Sequence, residues 1–210
     1  MKTQVLTTIA STLNGRFKND YTLIKKALFV LLVALFSLPL TAQVKREKES
    51  RIDKTELPSA VVALLPQIEK NAKHLRYYKE IDGDKISYEV KLKKAKDHFS
   101  IEFSQLGTLE DIEVIIPKSE LPEAVLKTLK NNFEHVHLKR IQKQFRNENN
   151  NPKQLIEAVF ESQLAPTAYE ILISGKTNTS YKQFELLIDS NGTIVAKRPV
   201  IFKDYEHLVY

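Results

Sequence analysis

The sequence contains no cysteine. That excludes disulfides, thiolate metal centres and a thiol nucleophile, and it removes the acylated cysteine of bacterial lipoproteins. Glycine is scarce, five in 210 residues and scattered, so there is no glycine-rich phosphate loop. No serine sits in a nucleophile-elbow motif. Asp82-Gly83-Asp84 lacks the extended ligand series and distal glutamate of a calcium loop and reads as a turn. The apolar run Ala27 to Leu40 is shorter than the roughly 18–20 residues that cross a bilayer. These absences leave no catalytic constellation, no cofactor motif and no expectation of an enzyme.

The apolar run has another meaning. Lys25 and Lys26 precede it and Thr41-Ala42-Gln43 follows it. A basic segment, a short apolar stretch and small residues describe a secretory signal peptide. Residues 1–42 are therefore expected to be removed, with cleavage after Ala42, although the part before Lys25 is long for such a leader. The mature protein is expected to be periplasmic or secreted, with no membrane attachment after cleavage. The whole chain carries +6, but five basic residues and one acidic residue precede Gln43, which leaves 27 against 25, or +2. A nearly neutral mature chain gives no reason to expect nucleic acid.

Residues 43–54 are polar and charged and read as a flexible lead-in. Beyond them one string occurs twice: "ELPSAV" at Glu56 to Val61 and "ELPEAV" at Glu120 to Val125. Each opens a helical stripe, Leu57, Val61, Leu64, Leu65 and Ile68 in the first copy, and Leu121, Val125, Leu129 and Phe133 in the second. Pro66 predicts a break in the first helix. Ser119 is a candidate N-cap for the second.

Period-two alternation follows each stripe. Ile86, Tyr88, Val90 and Leu92 share one parity, as do Phe99, Ile101 and Phe103, then Ile112, Val114 and Ile116. The second copy offers Val136 and Leu138, with a bulge expected before Ile141. Tyr169, Ile171 and Ile173 follow, then Phe184, Leu186 and Ile188, and a last segment from Ile194 to Ile201. Turns fall at Gly107-Thr108 and Asn191-Gly192. The spacing predicts an α+β fold built as a tandem repeat: a helix plus about four antiparallel strands in each unit, with the helices on one face of the sheets. The units would be residues 55–117 and 118–210, the second carrying an insertion near 147–166 with a helical candidate, "PKQLIEAVF".

"LPSAVVALL" with "SYEVKL", and "LPEAVLKTLK" with "AYEILI", resemble the PepSY-like, β-lactamase-inhibitor-like family of exported bacterial proteins. The resemblance implies tandem α/β repeats with an open sheet face. It also implies binding or inhibition of a protein or peptide partner in the cell envelope.

Strand parity nominates the face. Tyr78, Lys91, Glu102 and Glu113 in the first copy, and Glu170, Leu172, Glu185, Leu187 and Val195 in the second, should point away from the helices. Leu172, Leu187 and Val195 would be aliphatics among charges, a candidate patch for a partner. The carboxylates on this side are expected to be solvated. A rival reading takes His135 and His137, two apart on a strand, as a shared metal site of a metal protein or enzyme. An envelope structural protein without a discrete ligand is a further alternative.

Overall fold

The structure, a computed structural model, describes residues 47–177 and 180–200. The expected leader, residues 1–42, lies outside the described residues, as does the end of the last expected strand at Ile201. Everything below concerns the unit that begins at Ala42.

Among the described residues, nine strands form one antiparallel sheet in simple chain order. They are β1 (Glu47–Ile52), β2 (Lys73–Asp82), β3 (Lys85–Lys94), β4 (Asp97–Ser104), β5 (Leu109–Ile115), β6 (Glu134–Arg146), β7 (Ala168–Thr177), β8 (Ser180–Ile188) and β9 (Ile194–Val200). Among the described residues four α-helices accompany them: α1 (Ser59–Val62), α2 (Leu65–Glu69), α3 (Glu123–Asn132) and α4 (Pro152–Phe160). The fold is α+β, and a single continuous sheet takes the place of separate ones.

The charged segment expected to be a flexible lead-in is ordered in part. Glu47–Ile52 is a strand, registered from Glu47 opposite Asp82 to Ile52 opposite Tyr77. Its charges suit a sheet edge, where they discourage pairing with another chain. Ile52 packs against the core, and Glu49 accepts an ion pair from Lys91 at 2.9 Å.

The first helix breaks where proline demands it. α1 ends at Val62, and Pro66 lies in the first turn of α2, where its missing N–H breaks no helical bond. The expected stripe is buried in full, from Leu57 to Ile68. A short 3-10 turn precedes each leading helix, at Lys54–Glu56 and Lys118–Glu120. Ser119 therefore lies inside a turn and does not cap α3, whose N-cap is Pro122.

Val90, Leu92, Phe99, Ile101, Phe103 and Ile112 meet α1 and α2 in one apolar cluster. Ile171, Ile173, Phe184, Leu186 and Ile188 meet Val125 and Leu129 of α3 in the other. The broken first helix is short for the surface it must cover, and α4 supplies the remainder. Ile156 and Val159 complete the first cluster, and Phe160 sets its ring edge-on to Phe99 at 5.0 Å. Gln67 Nε2 donates to the Lys153 carbonyl at 2.8 Å, tying α2 to α4. Asn151 caps α4 by accepting from the Gln154 N–H at 3.3 Å.

Two turns press against the helix entrances. Gly107 lies at φ +80 with its missing Cβ directed at Pro58 and Ala60. Gly192 lies at φ +88, and a Cβ there would come within 2.7 Å of the Ala124 carbonyl oxygen and 2.9 Å of Thr128 Oγ1. The turns share a bonding pattern. Ser104 N–H donates to the Thr108 carbonyl and Asp189 N–H to that of Thr193, while Thr108 and Thr193 N–H donate to the side chains of Ser104 and Asp189. Gly192→Ala is expected to cost about 2–4 kcal/mol, from a left-handed alanine and a backbone clash together. Gly83, at φ +62, would meet nothing within 4 Å, so Gly83→Ala should cost only about 1–2 kcal/mol. Urea midpoints of the two variants check the order.

Candidate functional site

The face away from the helices follows from register. Across the sheet, Tyr78, Glu89, Glu102, Asp111 and Arg146 form one row of opposed residues, and Arg76, Lys91, Ser100, Glu113 and Gln144 form the next. Gln142, Glu170, Leu187 and Ala196 form a third, and Arg140, Leu172, Glu185 and Arg198 a fourth. Arg140 reaches this face because β6 shifts register between Leu138 and Arg140, the bulge expected before Ile141.

This polar face is buried, against the expectation of solvated carboxylates. Glu113 is 3% exposed, Glu89 5%, Glu185 7% and Lys91 8%. The reason is curvature. Flat strands lie about 4.8 Å apart, so β2 and β9 would be separated by roughly 34 Å. Yet Glu80 on β2 and Arg198 on β9 line one cavity, and Glu89 on β3 acts electrostatically on Arg140 on β6. Twist accumulated over nine strands curls the sheet about its polar side.

The cavity holds about 610 Å³. Its acidic lining comprises Glu80, Asp82, Glu102, Glu110, Asp111, Glu148, Glu170 and Glu185, against the basic residues Lys85, Arg146 and Arg198. Lys85 is tied to Glu110 at 2.9 Å. Leu187 and Ala196 add a small apolar floor.

Around it runs a network of polar contacts. Lys91 pairs with Glu89 and Glu49, each at 2.9 Å, and lies 4.7 Å from the centre of the Tyr78 ring. Ser100 Oγ donates to Glu89. Gln142 Nε2 donates to Glu113 at 2.7 Å, Gln144 Nε2 to Asp111 at 3.2 Å and Arg140 to Glu170 at 3.1 Å. Burial pushes Asp111 up to about 7, with Glu170 and Glu110 adding to the rise. Glu89 also rises to about 7, through burial, although Lys91 opposes it. Glu113 is raised well above the carboxylate range by burial and by Glu170, Glu102 and Asp111. Burial alone would weaken the charge on Arg140; Glu170, Glu113, Glu185 and Glu89 together outweigh it. Such a site can hold positive charge by electrostatic attraction.

Of the nominated residues, Tyr78, Lys91, Glu102, Leu172 and Leu187 lie on this one face. Val195 does not join them. β9 shifts register between the partners of Leu187 and Ile188, so Ala196 stands opposite Leu187, and Val195 is 60% exposed outside the cavity. His135 and His137 also part company. His135 is left-handed at φ 49, and β6 shifts register between Glu134 and His137, which breaks the alternation a shared ligand face requires. Asp111, Gln142, Gln144 and Arg198 escaped the sequence reading. Asp111 has the parity of Glu113, and Gln142 and Gln144 alternate with Ile141 beyond the expected bulge, signals that were available; Arg198 sits beyond a register shift in β9 that moves parity by one.

A family model described as "Putative beta-lactamase-inhibitor-like, PepSY-like" matches residues 43–111 and again 96–196. The chain belongs to the PepSY-like family. No protein with a curated description matches this PepSY-like chain. Three solved Bacteroides structures are similar to it. A "putative periplasmic" protein from Bacteroides eggerthii shares 14% identity, with 68% of this chain and 88% of that one covered at a TM-score of 0.48. A DUF2874 family protein from Bacteroides uniformis shares 11%, covering 68% and 89% at 0.47. A BLIP-like protein from Bacteroides fragilis shares 16%, covering 74% and 97% at 0.44. Among the described residues of the PepSY-like chain, no helix is long and apolar enough to cross a membrane.

Proposed function

We propose that this PepSY-like chain is an exported, non-enzymatic binding or inhibitory protein. Its curled polar face receives a basic segment of a protein or peptide partner in the cell envelope. The observation that carries this reading is the 610 Å³ cavity, in which eight acidic residues face three basic ones. A low-dielectric wall lined with one sign of charge focuses the field and draws in the opposite sign. Leu187 and Ala196 give the aliphatic part of a lysine or arginine side chain something to lie on. The leader pattern and the family support export, with cleavage after Ala42.

The same reading takes the chain as two tandem units. Pro58 and Pro122 open the leading helices, and Gly107 and Gly192 press on Ala60 and Ala124 within matching turns. Left-handed His74 and His135 stand at matching strand entrances.

The test is a panel of short extended peptides that differ only in charge. Lysine- or arginine-bearing members should bind, and salt should weaken them. Glu102→Gln combined with Glu170→Gln should reduce their affinity by about tenfold or more. Equal affinity for basic, neutral and acidic peptides would refute the reading. Specific binding at His135 and His137, detected as bound metal in the purified protein, would favour the rival one.

A further inference from the structure

A second, smaller cavity of about 280 Å³ opens on the same side of the sheet. Its charge is opposite. Arg76, Lys91, Lys93 and Arg140 line it, with His74 and His98 among the other residues, and Glu89 is its one carboxylate. Glu89 is already engaged by Lys91 and Ser100.

Three observations make this more than a basic patch. First, β2 and β3 place like charges directly opposite each other: Arg76 faces Lys91, and Lys73 faces Lys93. Such pairs destabilise a sheet unless something else compensates them. Lys91 has Glu89 and Glu49. Arg76, only partly exposed, has no ion pair among the described residues. Second, Arg140 spends Nη2 on Glu170 at 3.1 Å, while its buried Nε–H has no acceptor. A buried guanidinium donor without an acceptor is costly. Third, the cavity is too small for a drug-sized ligand but roomy enough for one oxyanion and its water.

We propose that this cavity is an oxyanion site, and that its occupant is a carboxylate of the partner segment. The inference rests on the reading of this face as a partner surface and adds a second determinant to it. Arg76 and Lys93 supply the net attraction. Arg140, already paired with Glu170 through Nη2, supplies a directed Nε–H. A guanidinium fork matches the two oxygens of a carboxylate and also suits phosphate.

Geometry sets the spacing. On β2, Arg76 lines the basic cavity and Glu80 the acidic one, four positions or roughly 13 Å apart along a strand. A peptide lying along the strands would need a basic residue about four positions before its carboxylate to fill both.

The probes are a pentapeptide with an N-terminal lysine and a free C-terminal carboxylate, its amidated twin, and inorganic phosphate. Affinities come from calorimetry, and the arginine Nε–H resonances report occupancy of the site. The free acid should bind at least about fivefold more tightly than the amide. That advantage should vanish in Arg76→Gln and in Lys93→Gln, with the amide's own affinity unchanged. Phosphate should shift the Arg140 Nε–H signal and erase the advantage by competition.

An advantage that survives both substitutions overturns the assignment. So does phosphate binding without any carboxylate preference, which would make the site one for free phosphate. If the amide binds but neither the carboxylate nor phosphate has an effect, the oxyanion site is refuted while the acidic-cavity reading stands. If the amide fails to bind while phosphate shifts Arg140 and loses that effect in Arg76→Gln, the acidic-cavity reading falls and an oxyanion site remains, without a peptide carboxylate as its occupant.

Discussion

Leu186→Ala is expected to cost about 2–5 kcal/mol of stability, whereas Leu187→Asp should cost far less. Leu186 is fully buried under α3 within the second apolar cluster. Removing three carbons there loses their transfer energy and leaves a void that α3 and the sheet cannot close. Leu187, the next residue, is partly exposed on the opposite face and lines the acidic cavity. An aspartate in its place remains hydrated by the cavity and adds one more negative charge to it. The effects should therefore separate by assay. The first variant should shift the denaturation midpoint. The second should alter binding of basic peptides and the pH dependence, because it sits opposite Glu170. Comparable unfolding by both would mean that the curled face is packed as tightly as the helical one.

The second large effect is an inverted pH dependence. Asp111 and Glu89 titrate near 7 in the folded chain, and Glu113 higher still, because burial and neighbouring carboxylates oppose their ionisation. In the unfolded chain such groups titrate near about 4. The folded state therefore binds these protons more tightly. Their contribution to stability is complete below about pH 4 and is lost as pH rises to about 7 and beyond. Glu69 works in the opposite sense. It is lowered chiefly by the hydrogen bond from Lys54, but it is half-buried with an exposed partner, so solvent screens the pair. Urea denaturation should show greater stability near pH 5 than near pH 8, by on the order of 2 kcal/mol. Glu113→Gln keeps the shape and removes the charge, so it should narrow that difference by stabilising the protein near pH 8. Stability that rises from pH 5 to pH 8 would contradict the burial of these carboxylates.

The sequence made much of this fold legible, and for physical reasons. Leu57, Val61, Leu64, Leu65 and Ile68 keep helical spacing because one face of α1 and α2 must be apolar, and Pro66 breaks the helix because its ring and missing N–H leave no choice. The strand sides were legible because parity is local. So was α4, whose nonapeptide has its own helical stripe, although not its place: Ile156 and Val159 pack on the first cluster because the broken first helix leaves room there. β1 was hidden by its composition, since the charges that protect this sheet edge also read as a solvated lead-in. Val195 was misplaced by a register shift that leaves no mark in residue type.

The functional face was half legible. Parity identified Tyr78, Lys91, Glu102, Leu172 and Leu187 as sharing one side. It could not show that this side closes on itself. Curvature is a sum over nine strands, and each strand's own residues fix only its twist. Glu113 or Glu185 looks solvated in a single strand and becomes buried only when β2 and β9 border one cavity.

Mapping the face directly is the decisive measurement. A lysine-bearing peptide titrated into isotopically labelled protein, followed by NMR, should shift the signals of Glu102, Asp111, Glu170, Leu187 and Ala196 together, with one saturating isotherm. The signals of Val125, Leu129, Leu186 and Ile188 should stay in place. Shifts confined to the helices or scattered over both faces, with the acidic cavity silent, would contradict the claim that the curled polar face is the working surface of this protein.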